Sequence, residues 1–276
     1  MSLIWSDFDP NSLNSQKMIK AKQVNGPDYW SIMREVFAYD CGHLPFTRFR
    51  LWASVHNVPF VTQYQTSRFL GEAFYWAAQN PDVANALKEN WIGIPFAMRQ
   101  PLLVSSDFDT SMQRVQDIAH LMITNFGKKE LSSYKSIIEI GAGYGNMCSV
   151  AYAMGFRGKY TIVDIPETRP IQDYYLKTQG INANFSFEDD NVEPADLVIS
   201  TWALSETPLD YRARLIPKIE KSKNWLILSQ ARVFGQEVNF EYFDKFFANK
   251  NAHEIPLVSA GLNAWDGGNK YYVVKN

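Results

Sequence analysis

Cysteine is scarce in this sequence: Cys41 and Cys148 are the two in 276 residues. Two thiols make no disulfide framework, and their spacing is not that of metal ligands, so a reducing cytoplasm is the expected setting. An excess of charge of one sign is also missing. The 27 Lys and Arg and the 29 Asp and Glu leave a formal net charge of -2. Such a chain has no strong field to draw in nucleic acid or an anionic lipid surface, and neither is expected as a partner. Nowhere do about 18 apolar residues run together, so no membrane-spanning helix is expected. Met1 to Pro10 has neither the basic start nor the apolar run of a secretory signal, and none is expected. Internal repeats and low-complexity tracts are missing too. What is present is an ordinary globular balance, 46% hydrophobic and 20% charged. At roughly 100–200 residues per domain, it makes one large or two modest domains.

Two grammars divide the chain. Residues 1–131 read as a helical cap whose helices are joined by loops marked with Pro and Gly. Pro27 suits the first position of a helix whose Tyr29, Ile32, Met33, Val36 and Phe37 share one face. A second helix is expected near 67–79 and a third from Pro81, with Asn80 as its cap. The clearest covers 110–126: Thr110 and Gln113 form a capping pair, apolar residues from Met112 to Phe126 keep the helical period, and Gly127 ends it. From 132 to 276 strands alternate with helices. Strands are expected at 136–140, 160–163, 184–187, 196–200, 225–229 and 271–274. Helices are expected at 145–154, 170–178, 209–221 and 240–247. Alternation of this kind builds an α/β fold with a mostly parallel sheet covered on both faces. Its ligands bind beyond the carboxyl ends of the strands, where the strand order reverses.

At the end of the first expected strand stands Glu139-Ile140-Gly141-Ala142-Gly143-Tyr144-Gly145. Glycines in such a loop permit a tight turn and bring backbone close to a ligand. A dinucleotide fingerprint places glycines at relative positions one, three and six, whereas Asn146 fills the sixth place here. No Lys-Ser or Lys-Thr pair follows, which excludes a P-loop. Asp164 ends the second strand, where a carboxylate suits a pair of ribose hydroxyls; it also suits a turn before Pro166. Glu188-Asp189-Asp190 follow the third strand as an acidic run, a pattern common on solvated surface.

These residues carry a resemblance. The acidic-x-Gly-x-Gly-x-Gly pattern resembles the first motif of class I S-adenosylmethionine-dependent methyltransferases. Within that class, Ile137 to Gly145 is similar to the first motif of the sugar O-methyltransferases, tyrosine between glycines included. Tyr160 to Glu167, continued by Gln172 to Leu176, resembles the second. Ala195 to Ser200, with Ala203, Ser205 and Glu206, resembles the third. The match spans about 136–220; Gly268 to Tyr272 fits less specifically. The resemblance implies a Rossmann-like sheet with its last strand antiparallel, S-adenosyl-L-methionine as cofactor, and a hydroxyl of a sugar or sugar-derived glycan precursor, free or carrier-linked, as acceptor. It implies cofactor contacts from Glu139, Gly141, Ala142, Gly143, Gly145, Asp164, Ile165, Asp189 and Ser200.

Methyl transfer to a hydroxyl is an in-line displacement that needs alignment and a proton acceptor. Glu206, in the loop after the fourth strand, is the first choice as base; it also suits a helix cap beside Pro208 or the cofactor's amino group. His120, on the helix leading into the first strand, is the second choice. Arg114 on that helix suits the cofactor's carboxylate through its fork of donors. Five of eight tryptophans (Trp5, Trp30, Trp52, Trp76 and Trp91) lie in the first half, as core, subunit contacts or stacking surfaces. By analogy of fold, the extra helical half serves a homodimer. No metal is expected. The rival readings are a methyltransferase acting on another small metabolite, phosphorylated or not, a nicotinamide oxidoreductase, and a non-catalytic binder. A Tyr-x-x-x-Lys pair would mark the oxidoreductase, and Tyr174 and Tyr211 both lack the lysine.

Overall fold

Runs such as Ile137-Ile138 and Leu197-Val198-Ile199 are apolar at every position, not at alternate ones. A strand reads so when both its faces are covered. In a computed structural model of the protein, described for residues 28–52, 82, 85–86, 90–93, 113–187, 192–231, 239–255 and 269–276, these runs form the centre of a seven-stranded sheet. Its strands are β1 (Ser136–Ile140), β2 (Lys159–Asp164), β3 (Asn184–Phe187), β4 (Leu197–Thr201), β5 (Asn224–Gln230), β6 (His253–Ile255) and β7 (Asn269–Val274), in the order β3-β2-β1-β4-β5-β7-β6. The first five are parallel, and β7 runs antiparallel between β5 and β6. This is the expected Rossmann-like sheet, mostly parallel with its last strand antiparallel. The three-residue β6 has no counterpart in the sequence reading, being too short to show a period.

The helices are α1 (Asp28–His43), α2 (Gln113–Ser133), α3 (Asn146–Ala153), α4 (Arg169–Thr178), α5 (Ala203–Glu206), α6 (Leu209–Ile219) and α7 (Asn239–Phe247). Single-turn 3-10 segments occupy Phe46–Leu51 and Pro166–Thr168. Strand alternation splits the core in two. Ile137, Leu197, Ile199, Leu226, Leu228, Tyr271 and Val273 pack with residues of α1 to α4. Ile138, Ile140, Val198, Trp225, Ile227, Tyr272 and Val274 pack with α6 and α7.

The first cluster also holds Met33, Val36 and Phe37 of α1 and Phe49 and Trp52 of the following turn. One core therefore runs across the expected boundary at residue 131, and Leu131 is itself fully buried. Gly127 does interrupt its helix, with φ 62° and ψ 168°, but six more residues complete α2 beyond the kink. A left-handed glycine stops one helical segment, and the chain resumes helix once the φ returns. Of the helix expected from Pro81, Asp82, Asn85 and Ala86 are described and helical; the expected helix near 67–79, the Asn80 cap and the Thr110 cap lie outside the described residues. No helix among the described residues is long and apolar enough to cross a membrane.

Candidate active site

The strand order places β1 between β2 and β4, so successive connections leave β1 in opposite directions. The carboxyl edge beside β1 is where a doubly wound sheet opens a crevice. Gly141 follows β1 there with φ 72°, and its N–H donates to the Val163 carbonyl at 2.9 Å. A Cβ added to it would lie 2.0 Å from Cβ of Ala203 at the start of α5. This glycine is required because two strand ends meet at van der Waals distance, whatever ligand lies above. Gly143 and Gly145 also have positive φ, 58° and 97°. The Gly145 N–H closes the turn on the Ala142 carbonyl at 2.9 Å, and α3 begins at Asn146.

Asp164 ends β2 as expected, half-buried beside this loop. Its Oδ2 accepts the Ala142 N–H at 3.0 Å and Gln172 Nε2 at 2.8 Å, while Oδ1 accepts the Ile165 N–H at 2.8 Å. A carboxylate offers about four acceptor positions, and these three donors fix how it is turned. Burial pushes the carboxyl up to about 6, against the opposing hydrogen bonds from Ile165, Gln172, Ala142 and Thr168. Asp164 is thus charged above about pH 6.

Glu139 lies deeper. It is 2% exposed, on the α3 side of the sheet, and its Oε2 accepts from the Tyr160 hydroxyl at 2.7 Å. Burial pushes it up to about 8; the Tyr160 hydrogen bond works against this, and the nearby Asp164 charge adds to it. Glu139 is therefore mostly protonated at neutral pH. Ala142 is buried and Ile165 half-buried, on either side of the Asp164 carboxylate. Ser200 is fully buried, and its Oγ accepts the Leu204 N–H at 3.0 Å, bracing the turn into α5. Arg114 and His120 fall on the backbone of α2 with their side chains outside the described residues, and Asp189 lies outside them altogether.

Glu206 ends α5, half-buried at the same edge as the glycine loop. The turn that presents it is strained: Trp202 has φ 67° and ψ -37°, a conformation costing an L-residue about 1–3 kcal/mol. Hydrogen bonds hold that strain in place. The Trp202 N–H reaches the Leu228 carbonyl at 3.0 Å, and its own carbonyl accepts the Ser205 and Glu206 N–H groups at 2.8 and 3.1 Å. The buried Arg212 donates from Nη2 to the Ser205 carbonyl at 2.7 Å and from Nε to the Thr207 carbonyl at 3.1 Å. One guanidinium thus grips the backbone on both sides of Glu206. Burial draws Arg212 down to about 10, still cationic at neutral pH.

The cap reaches this edge through α1. Arg34 Nε pairs with Glu167 Oε1 at 3.0 Å, and Cys41 Sγ approaches the Glu167 carbonyl at 3.6 Å, on the turn just after Asp164. Tyr29, on the first turn of α1, feels the Glu206 carboxylate; burial first and that charge second push its phenol up to about 12. One helix therefore spans the ends of β2 and β4. A second contact runs through Asn90, whose Nδ2 donates to the Tyr175 hydroxyl at 2.9 Å; that hydroxyl donates to Asn146 Oδ1 at 3.0 Å. Arg50 is buried over the Tyr144 ring at 4.8 Å from its centroid. The sequence marked Gln172 as part of a motif without a role, and gave no signal for Tyr29 or Arg212, whose partners are distant in sequence or backbone carbonyls. Among the described residues, no three His, Cys, Asp or Glu side chains gather as a metal would require.

No family model and no curated protein matches this chain. Solved structures do. A S-adenosylmethionine-dependent methyltransferase from Clostridium acetobutylicum is 11% identical over 57% of this chain and 89% of its own, with a TM-score of 0.43. A SAM-dependent methyltransferase from Aquifex aeolicus is 14% identical over 56% and 89%, with a TM-score of 0.38. The methyltransferase domain of bacterial CtHen1 is 12% identical over 60% and 98%, with a TM-score of 0.43.

Proposed function

We propose that this chain is an S-adenosyl-L-methionine-dependent O-methyltransferase. The observation that carries the reading is the joining of the Gly141–Gly145 loop to Asp164 at the switch point of the sheet, through the Ala142 N–H and Gln172. The joined parts suit a nucleoside with no pyrophosphate. The loop offers backbone unobstructed by a side chain at Gly143, and Asp164 offers a carboxylate for the ribose. Asp189 suits the adenine amino group, and Arg114 the cofactor's carboxylate. When bound, S-adenosylmethionine supplies a methyl group on a sulfonium. Glu206 would take the proton of the acceptor hydroxyl, and Tyr29 closes the site from the cap side. His120 is the alternative base. The acceptor we assign is a hydroxyl of a sugar or sugar-derived precursor, on the strength of the motif resemblance.

The test is calorimetric titration of the full chain with S-adenosylhomocysteine, with NAD and NADP as controls and Asp164→Ala beside the wild type. Binding of S-adenosylhomocysteine alone, lost at least tenfold in the variant, is the expected result, since a hydrogen bond to a charged group contributes about 1.5–3 kcal/mol. Binding of NAD instead, or of none of the three, overturns the reading.

A further inference from the structure

Gln172 lies on α4, eight residues past Asp164, and is 1% exposed. Its Nε2 reaches Asp164 Oδ2 at 2.8 Å, the Gly143 carbonyl at 2.9 Å and Thr168 Oγ1 at 3.2 Å. An amide nitrogen has two hydrogens, and the two shortest contacts are the carboxylate and the glycine loop. Thr168 in turn donates its hydroxyl to the Ile165 carbonyl at 2.9 Å. One side chain thus staples the end of β2 to the middle of the loop after β1.

We propose that Gln172 is a positioning residue for the cofactor: it holds the Asp164 carboxylate in the orientation that meets the ribose and sets the height of the glycine loop at Gly143. The proposal rests on the S-adenosylmethionine reading and adds a residue to it. Gln172 and the Ala142 N–H both bond Oδ2, which fixes the rotation of the carboxylate. It also stabilises the carboxylate in its charged form, because a donor to a carboxylate favours ionisation. The ionisable neighbours of Asp164 are Glu139 on β1, which titrates near 8, and the paired Arg34 and Glu167 across the 3-10 turn. The Glu139 change lies above the range near pH 6 where Asp164 titrates.

The experiment is calorimetric titration with S-adenosylhomocysteine from pH 5 to 9, using full-length wild type, Q172M, D164N and the double variant. Methionine keeps the length of glutamine and removes the donor. Wild-type affinity is expected to rise through about pH 6 and level off. In Q172M the midpoint moves up by about one pH unit, so the loss is about tenfold near pH 5, about twofold at pH 7, and recovered by pH 9. In D164N the pH dependence disappears and Q172M adds little. A Q172M loss that is equal at every pH, or undiminished in D164N, overturns the proposal and leaves Gln172 as packing. Should Q172M not fold, Q172N draws the amide back by one methylene and carries the same expectation. Carboxyl carbon NMR of Asp164 in the ligand-free chain separates this proposal from the cofactor reading. If the wild type binds no S-adenosylhomocysteine the cofactor reading falls; if the Asp164 midpoint is the same in wild type and Q172M, the role of Gln172 falls.

Discussion

Replacing Glu139 by glutamine is expected to make the protein more stable at alkaline pH and to flatten its pH–stability curve. Glu139 is 2% exposed and titrates near 8 in the fold, against 4.5 for an ordinary glutamate, because burial disfavours its charge. Between those values the unfolded chain has released a proton that the native chain still holds. Raising the pH then favours the unfolded state: stability is full below about 4.5 and is lost as pH rises to about 8. At about 1.4 kcal/mol per tenfold difference in proton affinity, the loss attributable to this one group is at most about 5 kcal/mol, and about 3 is a fair working figure. Glutamine still offers Oε1 to the Tyr160 hydroxyl but has nothing to titrate. Urea denaturation of both proteins at half-unit steps from pH 5 to 9 measures the difference, which removes contributions from Asp164 and every other group. The curves should coincide near pH 5 and part by about 3 kcal/mol near pH 9, glutamine the more stable. Parallel curves would mean that Glu139 is ionised in the native protein. In that case the argument from burial is wrong, and the acid is available after all as an anionic partner for the cofactor's ammonium.

Three further changes probe the frame of the site. Gly141→Ala sets a Cβ 2.0 Å from that of Ala203 at φ 72°, so a loss of about 2–4 kcal/mol in urea unfolding is expected, with G141A/A203G recovering the packing share but not the backbone share. Arg212→Met strips donors from the Ser205 and Thr207 carbonyls and should cost about 2–4 kcal/mol, read from urea midpoints, while leaving S-adenosylhomocysteine affinity within about threefold because Asp164 and its loop are untouched. A fragment of residues 132–276 loses Met33, Val36, Phe37, Phe49 and Trp52 from a core it shares with β1, β4 and β5; it should show no cooperative melting transition, and one with a native-like midpoint would prove the cap dispensable.

Strands 136–140 and 184–187 were legible to the residue: the first is a short, largely apolar run closed by Gly141, and the second alternates Phe with polar residues at the edge of the sheet. The last strand begins at Asn269, two residues before its apolar stretch, since the Gln230–Asn269 and Ser229–Lys270 pairs are made by backbone and leave no mark in side-chain type. Glycine had two meanings that pattern alone does not separate. Gly127 was read as a terminus and is a kink, because whether helix resumes depends on Leu131 finding a core below it.

In the site the same division holds between local and distant information. Loop glycines and Asp164 announce themselves because their neighbours in sequence set their geometry. Glu139 did not announce its own state: it sits one residue from the glycine loop yet faces Tyr160 across β1–β2, and its protonation follows from that burial. The positions that tune the site are side chains that reach back to backbone or to a strand end many residues away: Gln172 to Gly143, Arg212 to Ser205, Arg34 to Glu167. Each holds a loop that carries a candidate functional acid without being that acid. A site of this construction keeps few charges at its mouth and stores its precision in buried donors. It should therefore respond to substitutions of Gln172 through affinity and pH midpoint, and to substitutions of Arg212 through stability and turnover.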